Sequence, residues 1–151
     1  MFSWGNDKGG QLGLGQKLSE GKQMHPVPRF CSYNIPIVQV ACGQAHSVFI
    51  TTTNLVYAMG SNSNGQLGIN DPYVQQKYSP VLVEVLLDKS PVQVKCGEVH
   101  SLVLCRNGEV YSWGSNDYGQ CGGGNTGSGS MAVVFSPRLV NFENYYRPNI
   151  T

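Results

Sequence analysis

Val38-Gln39-Val40-Ala41-Cys42-Gly43-Gln44-Ala45-His46-Ser47 returns 54 residues later as Val92-Gln93-Val94-Lys95-Cys96-Gly97-Glu98-Val99-His100-Ser101. Held without a gap, 38–70 and 92–124 share 15 identities in 33 positions. Self-similarity at a fixed period of this length marks a repeat architecture. The back half of the unit occurs a third time at the start of the chain. Phe2-Ser3-Trp4-Gly5 answers Tyr57-Ala58-Met59-Gly60 and Tyr111-Ser112-Trp113-Gly114, and Gly10-Gln11-Leu12-Gly13 answers Gly65-Gln66-Leu67-Gly68 and Gly119-Gln120-Cys121-Gly122. A front end recurs as Val27-Pro28-Arg29-Phe30, Pro80-Val81-Leu82-Val83 and Pro137-Arg138-Leu139-Val140.

One unit reads as four short strands. Ser47 to Ile50 and Ser101 to Cys105 are almost unbroken apolar runs, which suit strands buried on both faces. Leu55 to Met59 and Val110 to Trp113 follow as their partners. Two more strands frame the unit: Val38 to Val40 (with Val92 to Val94), and a run after the proline, Pro80 to Leu86. Gly114 to Gln120 is composed of turn residues and reads as a loop. Within the hairpin, Arg106-Asn107-Gly108-Glu109 aligns with Thr52-Thr53-Asn54-Leu55. A type I′ turn needs positive φ at both central positions, and Thr53 resists it. A type I turn followed by one left-handed residue, Asn54 or Gly108, suits both copies.

Four strands over about 54 residues, repeated, is the pattern of propeller blades: small twisted sheets stacked around an axis. Composition agrees. In 151 residues there are 19 Gly and 8 Pro with only 13% charged residues, which argues against long amphipathic helices and coiled coils. With 40% hydrophobic and 10% aromatic residues, the chain has material for a core and does not read as disordered.

The net charge is +1, and the ten basic residues are scattered from Lys8 to Arg147. No basic face or tail of the kind that tracks phosphates is evident, so no nucleic-acid partner is expected. No apolar run is long enough for a membrane helix, so no membrane insertion is expected. Five cysteines, an odd number, and a start without a secretory pattern fit reduced thiols inside the cell. Asn149-Ile150-Thr151 is a sequon of the kind that arises by chance.

The long pattern Cys-Gly-x-x-His-Ser, an apolar strand, then aromatic-x-Trp-Gly-x-Asn-x-x-Gly-Gln-Leu-Gly resembles the regulator-of-chromosome-condensation repeat over essentially the whole chain. Met59 stands where Trp4 and Trp113 sit, and Cys121 where Leu12 and Leu67 sit; both replacements are apolar. The resemblance implies an all-β propeller of about seven blades, each of four antiparallel strands. On that frame 1–30 is a partial blade, 31–84 and 85–140 are full repeats, and 141–151 opens another, about 2.8 blades in all. Such an arc would leave apolar faces and strand edges open. The expectation is therefore a working molecule that is larger, completed by further blades or by other chains.

Candidate chemistry is thin. Cys42, His46, Cys96 and His100 are the inventory of a structural zinc site. If the step from Cys to His is extended, the two stand about 13 Å apart at ~3.3 Å per residue, too far for one ion. Gly122-Gly123-Gly124-Asn125-Thr126-Gly127 matches a dinucleotide fingerprint in spacing, but no helix follows it. His46-Ser47 and His100-Ser101 are neighbours on strands and point to opposite faces, so neither pair is a base with its nucleophile. His25 lies in a proline-rich loop with no partner suggested. No catalytic, cofactor-binding or metal-binding residue and no cofactor is assigned, and the chain is not expected to be an enzyme.

What remains is binding. Tyr145-Tyr146-Arg147 is either a contact patch or a strand edge. The loops 14–27, 70–79 and 123–136 vary most between copies, and such loops are where repeat proteins recognise partners. The expected function is a protein-interaction or scaffold module that presents loops and rims to protein partners. The resemblance implies nuclear, cytoskeletal, ciliary or membrane-traffic assemblies, with cytoplasm, cytoskeleton or cilium ahead of the nucleus. It also implies the alternative, guanine-nucleotide exchange on a small GTPase; no copy here carries the long insertion expected for that.

Overall fold

The computed structural model describes residues 1–16, 21–122 and 132–142. Among these described residues, ten strands form three antiparallel sheets. The first pairs β1 (Phe2–Gly5) with β2 (Gly21–Pro26). The second runs in the order β3 (Ile37–Cys42), β4 (His46–Thr51), β5 (Val56–Ser61), β6 (Gln76–Leu82). The third repeats that order with β7 (Pro91–Cys96), β8 (His100–Cys105), β9 (Val110–Ser115) and β10 (Val133–Leu139). These are propeller blades, and β1–β2 is the outer half of one. No helix among the described residues is long and apolar enough to cross a membrane.

The apolar runs fold as their composition requires. All six residues of β4 are buried. Val48, Ile50, Val56 and Ala58 of the second sheet and Val94, Val103, Tyr111 and Trp113 of the third share one core. On the opposite side, Phe49, Tyr57 and Met59 pack with Val27 and Phe30, and the Phe30 ring meets Phe49 and Tyr57 edge-on, each at 5.5 Å. The second sheet, flanked on both sides, is therefore apolar on both faces of its central strands.

The hairpin turn takes the expected form. Asn54 N–H donates to Thr51 O and Thr51 N–H to Leu55 O, with Asn54 at φ 59°; Gly108 and Cys105 repeat this, with Gly108 at φ 88°. Thr53 and Asn107 are not in the left-handed region.

Four expectations need correction. The strand placed at Pro80–Leu86 is β6, which begins at Gln76 and ends at Leu82; Glu84–Leu86 is a 3-10 turn. The equivalence of Val27-Pro28-Arg29-Phe30 with Pro80–Val83 is out of register by three residues. Val27, Val83 and Val140 each donate the backbone hydrogen bond that closes an outer strand, to Met1, Val56 and Val110, so Phe30 answers the buried Leu86. Pro28 opens a short helix, α1 (Pro28–Ser32), because a missing N–H is harmless in a first helical turn. His25 is on a strand, paired with Ser3, not in a loop. Finally, the step from Cys42 to His46 is not extended. Gly43 N–H donates to His46 O at 2.8 Å and Gly97 N–H to His100 O at 2.9 Å, which turns the chain back and sets Cys42 opposite Ser47.

Candidate functional site

The repeated Cys-Gly-x-x-His-Ser turn builds a seam between consecutive sheets. His46 Nε2 lies 2.9 Å from Ser101 Oγ, across the boundary. Ser101 donates its hydroxyl proton to Gln66 O at 3.0 Å, and Trp113 Nε1–H donates to the same carbonyl at 2.8 Å. Since the hydroxyl proton is committed to Gln66, Ser101 Oγ accepts from His46, and His46 carries its proton on Nε2. Nδ1 is then a bare acceptor; it is buried and has no hydrogen-bond partner among the described residues. Burial first, and His100 second, hold the His46 pKa down at about 4, so the ring is neutral. Further bonds cross the seam. Val94 N–H donates to Gln39 Oε1 at 3.1 Å, and Gln44 N–H to Glu98 O at 3.0 Å.

The glycine of the turn is explained by the ring beside it. A Cβ on Gly43 would run into the His46 imidazole and stand 2.7 Å from Gly97 O; one on Gly97 would run into the His100 ring. Trp113 in turn lies against Gly68, as Met59 lies against Gly13.

The loop after each third strand is braced from within. Asp7, Asn62 and Asn116 accept through Oδ1 from the N–H of Leu12, Leu67 and Cys121, at 3.0, 3.2 and 3.0 Å. Gln11, Gln66 and Gln120 accept through Oε1 from the N–H of Gly9, Asn64 and Tyr118. Ser3 and Ser112 donate to the carbonyls of Leu12 and Cys121. The Asn-x-x-Gly-Gln-Leu-Gly spelling thus specifies a rigid loop in which side chains satisfy the turning backbone.

Among the described residues, no three His, Cys, Asp or Glu side chains stand close enough together to hold a metal ion. Cys42 is exposed and Cys96 half-buried, and burial pushes the Cys96 thiol up to about 12. Burial likewise raises Cys121 to about 11. Neither thiol is a nucleophile at neutral pH. His46 and Ser47 do not face each other, as expected; His46 instead meets the serine of the next copy, a contact that no local pattern signals. Their hydrogen bond runs the wrong way for activating a nucleophile, which needs histidine to accept the serine proton. Of the fingerprint glycines, only Gly122 is among the described residues, and Tyr145, Tyr146, Arg147 and the sequon lie outside them.

Among the described residues, the large hydrophobic side chains with the highest exposure are elsewhere. Tyr73 and Tyr118 are 90% and 95% exposed, in the β5–β6 and β9–β10 connections. Tyr118 N–H is held by Gln120 Oε1 at 2.9 Å and Tyr73 N–H by Asp71 Oδ1 at 2.9 Å. A groove of about 560 Å³ runs between β1 and the second sheet, with Met1, Phe2, Trp4, Val40, Ser47 and Phe49 on its walls.

Comparison with known proteins agrees with this geometry. Residues 1–50, 54–104 and 107–149 match the family described as "Regulator of chromosome condensation (RCC1) repeat". "Probable E3 ubiquitin-protein ligase HERC4" of Homo sapiens is 39% identical over 126 residues, 83% of this chain and 12% of that protein. "Probable E3 ubiquitin-protein ligase HERC3" of Homo sapiens is 37% identical over 140 residues, 93% of this chain and 12% of that protein. The chain thus spans a small part of the relatives it matches. Among solved structures, human WBSCR16 superposes with a TM-score of 0.79 at 29% identity, over 95% of this chain and 35% of that one. Yeast RCC1 (Prp20), solved with Kap60, superposes with a TM-score of 0.73 at 21% identity, over 93% and 32%, a likeness of fold. Sheets, seam and family match converge: the chain belongs to the RCC1-repeat family, and its fold is a stretch of that family's β-propeller.

Proposed function

We propose that this chain is a non-catalytic protein-interaction segment that presents loop tips on a rigid stack of blades. The observation that carries the reading is the placement of Tyr73 and Tyr118. Both are almost fully exposed, on equivalent connections of consecutive sheets, and each turn is pinned by a side-chain hydrogen bond. An aromatic side chain on a braced turn loses little freedom on docking, and Tyr is enriched among residues that dominate binding energy. The polar side chains that could do chemistry support the same reading, because the seam consumes them: His46 and Ser101 are 1% and 0% exposed.

The matched ligases are far longer than this chain, which supports a recognition role within a larger assembly. Five free cysteines fit a reducing compartment, and we assign the work to the cytoplasm, cytoskeleton or cilium ahead of the nucleus. The alternative, nucleotide exchange on a small GTPase, draws its support from family membership and from a yeast neighbour whose structure is described with its binding to Gsp1p and histones. The test is a side-by-side capture from cells of the chain and its Tyr73→Ala/Tyr118→Ala variant, with protein crosslinking. The reading expects partners whose recovery falls at least about tenfold in the variant at unchanged melting temperature. Equal recovery would refute it, and accelerated nucleotide release from a small GTPase would favour the alternative.

A further inference from the structure

Two Asn-Gly steps occur in the chain, Asn64-Gly65 and Asn107-Gly108, and the fold treats them differently. An asparagine followed by glycine is open to attack by the glycine's own backbone nitrogen, because no side chain shields it. Ring closure brings the side-chain carbonyl carbon onto that nitrogen, so the backbone between the two residues must swing. Gly65 has no room for this. It is buried in the braced loop after β5, where an added Cβ would stand 2.9 Å from Val134 O and 3.1 Å from Phe135 Cα of the next blade. Asn64 N–H is tied to Gln66 Oε1 at 2.8 Å, and Gly65 N–H to Asn62 O at 2.9 Å.

Arg106, Asn107 and Gly108 are all exposed at the tip of the β8–β9 hairpin. Among the described residues, nothing beyond its chain neighbours comes within 4 Å of a Cβ added to Gly108. The openness belongs to the hairpin and not to the sheet's place in the stack. Thr52, Thr53 and Asn54 are exposed at the same tip of the second sheet, which is flanked on both sides. The Gly108 nitrogen is guarded by its bond to Cys105 O at 3.0 Å, at an exposed tip of the kind that opens at little cost. Asn107 Oδ1 accepts from Glu109 N–H at 3.1 Å, which folds the side chain back along the Gly108 peptide.

We propose that Asn107 is a self-modification site, at which Gly108 N attacks Asn107 Cγ and closes a succinimide. The Cγ–Nδ2 bond breaks, and Nδ2 leaves as ammonia with the Gly108 amide proton. Water then opens the ring at either carbonyl, giving aspartate or isoaspartate at position 107; water is the sole co-reactant. The product carries one more negative charge, and isoaspartate adds a methylene to the main chain of a turn whose hydrogen bonds fix its length. In the unmodified tip, hydrogen bonds from the Asn107 amide, and then from Tyr111, hold the Glu109 carboxylate below its usual range. Tyr111 Oη donates to Glu109 Oε2 at 3.1 Å. Conversion removes the amide donor and sets a second carboxylate beside Glu109, which therefore titrates higher. The tip lies at the opposite end of β9 from Tyr118, so this site and the tyrosine tips can fail independently.

The 151-residue chain is incubated folded, in mildly alkaline buffer at physiological temperature, beside a sample unfolded in urea. Digests are read by mass spectrometry that separates asparagine, aspartate and isoaspartate. In urea the two steps should convert at similar rates. In the folded chain residue 107 should convert at least about tenfold faster than residue 64, since an exposed tip opens more readily than a packed loop. Gly108→Asn, which copies the Asn54 tip of the second sheet, should keep the melting temperature and slow conversion at 107. In Asn107→Asp, the Glu109 carboxyl followed by NMR should titrate above its position in the parent chain. Equal rates at 64 and 107 in the folded chain would overturn the proposal. So would an unconverted Asn107 over the time in which the unfolded chain converts, unchanged conversion in Gly108→Asn, or an unshifted Glu109 in Asn107→Asp.

Discussion

His46 Nε2 stands 2.9 Å from the Oγ of Ser101, 55 positions away in the chain and one blade on in space. The motif histidine therefore does its work on the following copy: it is a rivet between sheets. Because it must be neutral to be buried there, acid is its natural adversary.

The unfolded chain binds a proton at His46 near the ordinary value of 6.5, the folded one only near 4. Stability is therefore complete above about pH 6.5 and falls as pH drops from there toward 4, by up to about 3 kcal/mol, with no further loss from this group below 4. His100, also depressed by burial, adds in the same direction. Urea unfolding at about pH 7.5 and about pH 4.5 measures the difference, and His46→Phe should shrink it.

Alanine at the two turn glycines should have unequal effects. At Gly43 the new methyl meets a buried ring and the Gly97 carbonyl; at Gly97 the three nearest atoms all belong to the His100 ring, and His100 is only half-buried. Gly43→Ala should cost about 2–3 kcal/mol, Gly97→Ala clearly less, and His100→Ala should rescue the second. Chemical denaturation of the single and double variants reads this directly.

Met59 invites the residue its sisters carry. It lies against Gly13 as Trp113 lies against Gly68, and Gln11 O occupies the place of Gln66 O. Met59→Trp should be accepted and should add about 1 kcal/mol through a new indole hydrogen bond to Gln11 O. A lowered melting temperature would mean that the first seam is narrower than the second.

At the hairpin tip, Asn54 at φ 59° should tolerate glycine within a few tenths of a kcal/mol, while valine should cost about 1–2 kcal/mol. Val at position 53, where φ is not positive, should be nearly neutral. Thermal melts of the three variants separate this turn from a type I′ turn, which would penalise both valines.

The strands of both blades and the hairpin turn were legible because they follow from local rules: apolar runs flanked by turn residues, and a β-branched Thr53 that forbids one turn type. The start of the outer strand β6 is not legible because its polar residues, Gln76 to Ser79, carry no burial signal, and Pro80 reads as a strand start when it sits inside one. Phe30 is hard to place from sequence because Pro28 looks like the repeat's proline, although its helix plays the part of the turn at Glu84–Leu86. The seam was hidden for a different reason. Periodicity within one copy shows that His46 and Ser47 diverge, but which copy's serine the ring reaches depends on how the sheets stack, a long-range relation that local spacing does not encode.

The most direct test of the seam is a double-mutant cycle on unfolding free energy with His46→Ala and Ser101→Ala. Sheets joined across this bond predict a coupling of about 1–2 kcal/mol between the two substitutions. Strictly additive effects, with coupling below about 0.3 kcal/mol, would mean that the blades do not hold one another through this pair.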